Sequence, residues 1–325
     1  MSDAEFAART EPFRTELLAH CYRMLGSIHD AEDVVQETYL RAWRAFDRFE
    51  GRSSVRRWLY AIATRACLTA ADTRSRRPLP SAWGPPSEDH RVPVAARDPA
   101  VAWLKPVPDA WLGSGDPAAI VAGRTGVRLA FIAALQLLPA RQRAVLTLRD
   151  VLGFRTAEVA GILDTTAVAV DSTLRRARAH LADAAPVADD VAEPDDRTLH
   201  LLLDRYVDAF ARADPGALVD LLRVDVEMEM PPTPTWFTGR DAVVGFLGHR
   251  VLRRAGRWRM VPTRANGQPA FVVHHDPGGG RPEPYGVQVL TLLGDRIARI
   301  TAFNDPALVP AFAAAAASSG EPAGE

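Results

Sequence analysis

Nine prolines fall within residues 78–117, together with Gly84, Gly113 and Gly115. Proline removes a backbone donor and fixes φ, so neither a long helix nor a central strand passes through this stretch. It cuts the 325-residue chain into an N-terminal part and a longer remainder, each of which needs its own core. Length agrees, since one domain usually holds roughly 100–200 residues. The stretch reads as a linker, although Trp83, Trp103 and Trp111 are unusual in one that is merely flexible.

On its N-terminal side, residues 9–77 read as helix almost throughout. Phe13, Leu17, Cys21, Met24 and Leu25 recur at helical spacing, and Gly26-Ser27 ends that helix. Asp30 is placed to cap a second helix with Val34, Val35, Thr38, Tyr39 and Ala42 on its inner face. Its first turns hold Asp30, Glu32, Asp33, Gln36 and Glu37, and the acids among them suit the helix dipole. A loop, Phe49-Glu50-Gly51-Arg52-Ser53-Ser54, leads into a third helix. From Arg52 to Arg77 there are seven arginines and one acid, Asp72.

Helices resume near Arg124, and between Arg128 and Leu181 eight arginines stand against four acids. Two basic stretches are thus hidden in a chain of formal charge −1. Of the 39 basic residues, Lys105 is the one lysine, and arginine suits phosphates and base edges better. Residues 182–197, with six acids and one arginine, form an acidic joint. An amphipathic helix, a strictly alternating Asp225–Met230 segment and several further strands follow, the pattern of a separate α+β domain. The alanine-rich tail from Ala313 is expected to be disordered. A hydrophobic content of 47% excludes a disordered chain as a whole. The two cysteines, Cys21 and Cys67, read as reduced core residues. There is no signal-peptide pattern and no apolar run of membrane-spanning length.

Thr156–Leu163 and Ala167–Leu181 flank the turn Asp164-Thr165-Thr166, which is helix-turn-helix grammar. Val170, Leu174, Ala177 and Leu181 would face inward, leaving Thr166, Ala167, Asp171, Ser172, Arg175 and Arg176 outward. Small residues let a helix start enter the major groove, and arginine reaches guanine edges or phosphates. The same pattern also fits a plain hairpin with a solvated basic face. In the first block Arg52, Arg56, Arg57 and Arg65 lie near Trp58 and Tyr60. Cations that track phosphates beside aromatics that stack on bases suit single-stranded DNA. A core of Trp58, Leu59 and Ile62 with solvated arginines is the plainer alternative.

The order DAEDVVQETYLRAW, then F-x-G-x-SS-x4-WLYAIATRACL, then LPARQRAVLTLRDVLGF, AEVAGIL and STLRRARAHL resembles the extracytoplasmic-function (ECF) sigma factors. These are minimal sigma-70-family proteins with sigma domains 2 and 4. Trp103–Asp109, Met230–Leu247 and Phe303–Pro306 resemble segments of the subgroup with a SnoaL-like C-terminal extension. The resemblance implies two all-α domains, a helical bundle and a helix-turn-helix, plus an α+β SnoaL-like, nuclear-transport-factor-2-like cone. Its boundaries would be 9–77 (domain 2), 78–123 (linker), 124–182 (domain 4), 183–197 (acidic linker), 198–312 (SnoaL-like) and 313–325 (tail).

It further assigns Asp30, Glu32, Asp33, Gln36 and Glu37 to docking on core RNA polymerase. Phe49, Arg52, Ser53, Ser54, Arg56, Arg57, Trp58 and Tyr60 fall to the melted −10 element. Thr166, Asp171, Ser172, Arg175 and Arg176 fall to the −35 duplex. Arg65 and Thr69 stand where the family often has Asn and Asp, and Asp164 takes a turn position usually held by glycine. If that position needs positive φ, Asp bears modest strain.

For the cone, general acid or base candidates are Glu227, Glu229, His249, His274, His275 and Asp305. No pair among them has the spacing of a catalytic or metal motif, and acids alternating along a strand are usually its solvated face. Trp103, Trp236, Phe237 and Asp305 are candidates for a pocket or interface, and Met228 and Met230 are read as core. The expected protein is a promoter-specificity subunit of bacterial RNA polymerase, located in the cytoplasm and with the nucleoid when polymerase-bound. Its partners are core polymerase and promoter DNA, with a small-molecule ligand of the cone as a further candidate. No catalytic residue, cofactor or metal is assigned. The alternatives are a helix-turn-helix regulator independent of polymerase, and a ligand-binding or enzymatic SnoaL-like module controlled by the helical part.

Overall fold

The computed structural model describes residues 3–51, 53–73, 76–112, 127–184 and 194–319. They divide into two units. Residues 1–77 with 104–186 make the helical unit, and 78–103 with 187–325 make the second.

In the helical unit, α1 (Asp3–Thr10), α2 (Arg14–Leu25), α3 (Ile28–Ala45) and α4 (Val55–Thr73) surround Leu17, Cys21, Met24, Ile28, Val35, Leu59 and Cys67, all buried. Both cysteines are free thiols. Gly26 ends α2 at φ 65°, and a Cβ there would fall 2.9 Å from the Gln136 side chain. Ser27, not Asp30, caps α3: its Oγ accepts the Asp30 N–H. Serine three residues earlier wins because its extended backbone (φ −146°, ψ 128°) presents the hydroxyl to the open end. Residues 104–112 of the linker belong here, and 113–123 lie outside the described residues. Lys105 N–H donates to Gly26 O, Tyr22 Oη donates to Lys105 O, and Leu104 and Val107 are buried.

The second helical block comprises α5 (Leu129–Leu137), α6 (Ala140–Leu146), α7 (Thr156–Ile162) and α8 (Ala167–Ala184). It is docked on the first through a buried arginine. Arg143 donates to Leu135 O, Leu138 O, Gln136 O and Gln136 Oε1, and also to Met24 O of α2. Asp164, in the turn between α7 and α8, adopts φ 51°, so the strain foreseen for a non-glycine residue is present.

The second unit opens with α9 (Asp196–Arg212), capped by Asp195. Its sheet has the order β2-β1-β6-β5-β4-β3, with β1 (Leu222–Glu229) parallel to β6 (Arg296–Phe303). The pairs with β2 (Trp236–Thr238), β3 (Trp258–Ala265), β4 (Gln268–His275) and β5 (Glu283–Leu293) are antiparallel. One core joins α9, α10 (Arg240–Phe246) and the sheet: Leu202, Tyr206, Phe210, Met228, Met230, Phe237, Phe246, Phe271 and Ile300. Gly286 is required on β5, because a Cβ would lie 2.0 Å from Phe303 O.

Two expectations fail in this unit. Residues 313–319 of the alanine tail are helical, within α11 running Val309–Ser319 with Phe312 and Ala315 buried, and residues 320–325 lie outside the described residues. Alanine's helix propensity, helped by packing on β4 and β5, outweighs low complexity. The acids of β1 do not form one solvated face: Asp225 is exposed but Glu229 is 0% exposed, and the apolar Val224 is 72% exposed. The register shift between Leu222 and Glu227 releases Val224, and residues 78–103 cover Glu229.

Candidate polymerase and nucleic-acid interfaces

On α3, Asp33, Gln36 and Glu37 are exposed, and Glu32 is half-buried with its carboxyl raised by burial above the usual range. Asp30 differs from these. Its carboxylate pairs with Arg77 in a nearly buried contact, which ties α3 to the chain beyond α4. Three to seven residues beyond Gln36 and Glu37, Leu40 (57% exposed) and Trp43 (52%) prolong the same helical face. Helical spacing from Asp33 would have found both; sorting residues by charge passed over them. The face is an acidic row followed by an apolar one.

Beyond α3 the chain turns at Phe46–Arg48, and Ser54 starts α4, its Oγ accepting the Arg57 N–H. Phe49 and Trp58 are half-buried with ring centroids 4.8 Å apart, and each also contacts Phe46. Gly51 has φ 68°, Ser53 is half-buried and Ser54 is exposed. Arg52 lies outside the described residues.

Two cations of this block are already engaged, whereas Arg65 is exposed. Arg56 forms an ion pair with Glu16 at 2.9 Å and lies over the rings of Tyr60 and Phe154. Burial works to lower its pKa, but the Glu16 hydrogen bond and the charges of Tyr60 and Glu16 together outweigh that and the net shift is upward. Arg57 reaches α7, where a Cβ on Gly161 would fall 2.5 Å from its Nη2. Tyr60 does not fit a base-stacking role. It is wholly buried, its hydroxyl meets Glu16 O, and burial raises its pKa. Its ring packs edge-on to Phe154, at centroids 5.1 Å apart, so core packing claims it.

In the second block α7 and α8 cross through buried Val159, Ile162, Val170, Leu174 and Ala177. Thr166 caps α8 by accepting the Ala169 N–H, and the Thr156 hydroxyl donates to Asp171 Oδ1 at 3.2 Å. Asp171, Arg175 and Arg176 are exposed and Ser172 is half-buried. Arg178, one turn on, is drawn away by a two-point pair with Asp150. The result is a basic outer face with a small-residue start.

In the second unit the four candidates part company. Phe237 is core. Trp236 holds residues 78–103: its Nε1 donates to Gly84 O, and its carbonyl accepts the Ser87 N–H. Ser81 N–H donates to Glu229 Oε1, Ala95 N–H to Thr235 Oγ1, and Arg250 to Arg91 O. Trp103 is buried with its ring 6.0 Å from Trp83. Asp305 caps the turn at Pro306–Leu308.

Of the acid–base candidates, Glu227 pairs with Arg299, whose Nη1 lies 4.0 Å from Glu229 Oε2. His275 packs on Trp258, His249 is exposed, and His274 is lowered by burial and by Arg259. No three metal-ligating residues cluster among the described residues. No described helix is long and apolar enough to cross a membrane.

Comparison with known proteins matches these blocks one by one. Family models of Sigma-70 region 2, Sigma-70 region 4 and the SnoaL-like domain match residues 11–77, 128–181 and 203–300. The ECF RNA polymerase sigma factor SigG of Mycobacterium tuberculosis is 47% identical over 310 residues, covering 95% of this chain and 83% of the relative. SigJ of the same organism is 29% identical over 252 residues, covering 75% and 72%. The crystal structure of SigJ superposes with a TM-score of 0.59 at 23% identity, covering 94% of this chain and 98% of that one. The last likeness is one of fold.

Proposed function

The chain belongs to the ECF sigma factors, promoter-recognition subunits that bind core RNA polymerase and promoter DNA, and on that premise we propose which faces meet which partner. The α3 row Asp33, Gln36, Glu37, with Glu32 beside it, docks on polymerase, because an exposed acidic row suits a basic partner surface. Asp30 contributes by bracing α3 through Arg77. The Phe49–Ser54 loop and Trp58 take the opened −10 strand, with Arg57 joining once it leaves α7. On α8, Thr166, Asp171, Ser172, Arg175 and Arg176 read the −35 duplex. The observation that carries the assignment is the outward acidic row on one helical block and the outward arginine pair on the other.

For the C-terminal unit, the proposal is regulation without catalysis. Its core is filled by apolar side chains, and of its buried carboxylate Glu229 one oxygen accepts the Ser81 N–H while the other lies 4.0 Å from Arg299. The unit holds residues 78–103, and through them it governs how freely the two DNA-binding blocks separate. A small molecule bound to the cone would act to the extent that it binds the held and released states unequally. The proposed place of action is the cytoplasm, with polymerase on the nucleoid. Run-off transcription on sheared genomic DNA with core polymerase tests the whole reading. The full chain should direct discrete transcripts, and deleting Val187–Glu325 should change their yield but not their start sites. Altered start sites would assign promoter choice to the C-terminal unit and refute it.

A further inference from the structure

Val168 stands in the first turn of α8, two residues after the Thr166 cap, and is 79% exposed. It is the most exposed large apolar side chain among the described residues. Residues 168, 171, 172 and 175 recur at i, i+3, i+4 and i+7, so they line one face of the helix. The opposite face, Val170, Leu174 and Ala177, is buried against the rest of the block. At 1.5 Å per residue the outward row is about 10 Å long, the length of roughly three base steps.

The row presents two methyls, a carboxylate, a hydroxyl and a guanidinium in that order. In a major groove these groups have different partners. A guanidinium forks to guanine, a carboxylate accepts from cytosine N4, and a hydroxyl meets either kind of edge. Branched methyls find only the thymine C5-methyl. The helix start that carries Val168 is the end that enters the groove in helix-turn-helix proteins. Its position is also held firmly, since Thr156 on α7 donates to Asp171 one turn further on.

We propose that Val168 is a specificity-determining residue of the −35 contact, reading a thymine through its 5-methyl group. The inference rests on α8 being the −35 reader and adds the base chemistry selected by its first turn. The test uses holoenzyme made from the full chain and core polymerase. Duplexes with a randomised −35 region are selected for binding, and each selected thymine is then replaced by deoxyuridine, which removes only the methyl. At one position wild-type binding should weaken about fourfold, the equivalent of burying one methyl at ~0.8 kcal/mol.

Holoenzyme carrying Val168→Ala should bind thymine and uracil equally at that position, with an unchanged salt dependence. The side chain touches solvent, so the variant should melt with the wild type. Wild-type indifference to uracil at every position, or full discrimination by Val168→Ala, overturns the proposal. The underlying assignment fails separately, and takes the proposal with it, if Arg175→Ala with Arg176→Ala leaves the selected −35 sequence and affinity unchanged.

Discussion

Arg143 uses all three guanidinium nitrogens on carbonyl and amide oxygens within the helical unit and has no carboxylate partner among its hydrogen bonds. Burial, with Arg76 nearby, lowers its pKa to about 10, so it stays charged at neutral pH. Arg143→Met should leave several buried acceptors unpaired and cost on the order of 3–5 kcal/mol, by analogy with breaking a buried charge contact. Urea denaturation followed by helical circular dichroism reads this, and a variant as stable as the parent would refute the role. His20 makes the opposite kind of contribution. Burial and then Arg23 lower its pKa from 6.5 to about 3, so it is neutral in the fold, where its Nε2 meets the Thr64 hydroxyl. The unfolded chain therefore binds a proton below pH 6.5 that the folded one refuses. Stability of the helical unit should be full above that pH and fall by ~1.4 kcal/mol per unit down to about 3. His20→Gln should flatten the slope over that window; an unchanged slope would assign the acid sensitivity to other groups.

Among the elements, α3 and α8 illustrate how one pattern serves two ends. In both, an inner apolar face secures the helix and the outer face is left for a partner. Reversing Asp33 and Glu37 to Lys should weaken capture of core polymerase several-fold with little change in melting, since exposed charges contribute little to stability. Polymerase pull-down by a folded double variant at the parent level would exclude the α3 assignment. On α8, Arg175→Ala or Arg176→Ala should each cost about 1–3 kcal/mol if the contact is to a base. If it is to a phosphate, the salt dependence of binding should become shallower. Promoter affinity measured across a salt series separates the two cases. The α4 residues Arg56 and Tyr60 are expected to matter for folding rather than for strand opening, because Glu16 and Phe154 already occupy them.

For the whole molecule, the decisive feature is the divided linker. Residues 78–103 are part of the C-terminal unit, whereas residues 104–112 belong to the helical unit. Hydrogen bonds from Ser81, Ser87 and Ala95, and to Gly84, hold the first half. Backbone exchange over 78–103 should therefore be protected in the full chain and become fast on deletion of Val187–Glu325. Equal exchange rates in the two proteins would show that these contacts do not persist in solution. Trp103→Ala and the deletion should alter transcript yield in the same sense and without adding when combined, because both act on one held segment. Additive effects would mean that the C-terminal unit acts by another route.

Local order in the chain was enough to place α2 to α4, the helix-turn-helix and most of the sheet. Their signals are short-range: apolar residues at spacing 3.6 or 2, and turn residues such as Gly26 and Asp164. The outward row of α8 was legible for the same reason, since a helix whose inner face is known has its outer face known too. Four matters depended on contacts distant in sequence. Glu229 is buried with Ser81, some 150 positions earlier, bonded to it. Tyr60 is taken from the DNA surface by Phe154, and Asp30 from the polymerase face by Arg77. Residues 313–319 are a helix rather than a loose end because β4 and β5 offer them a surface. Periodicity reports which face of an element is apolar; which neighbour covers a polar residue is settled by packing, and no local pattern encodes it.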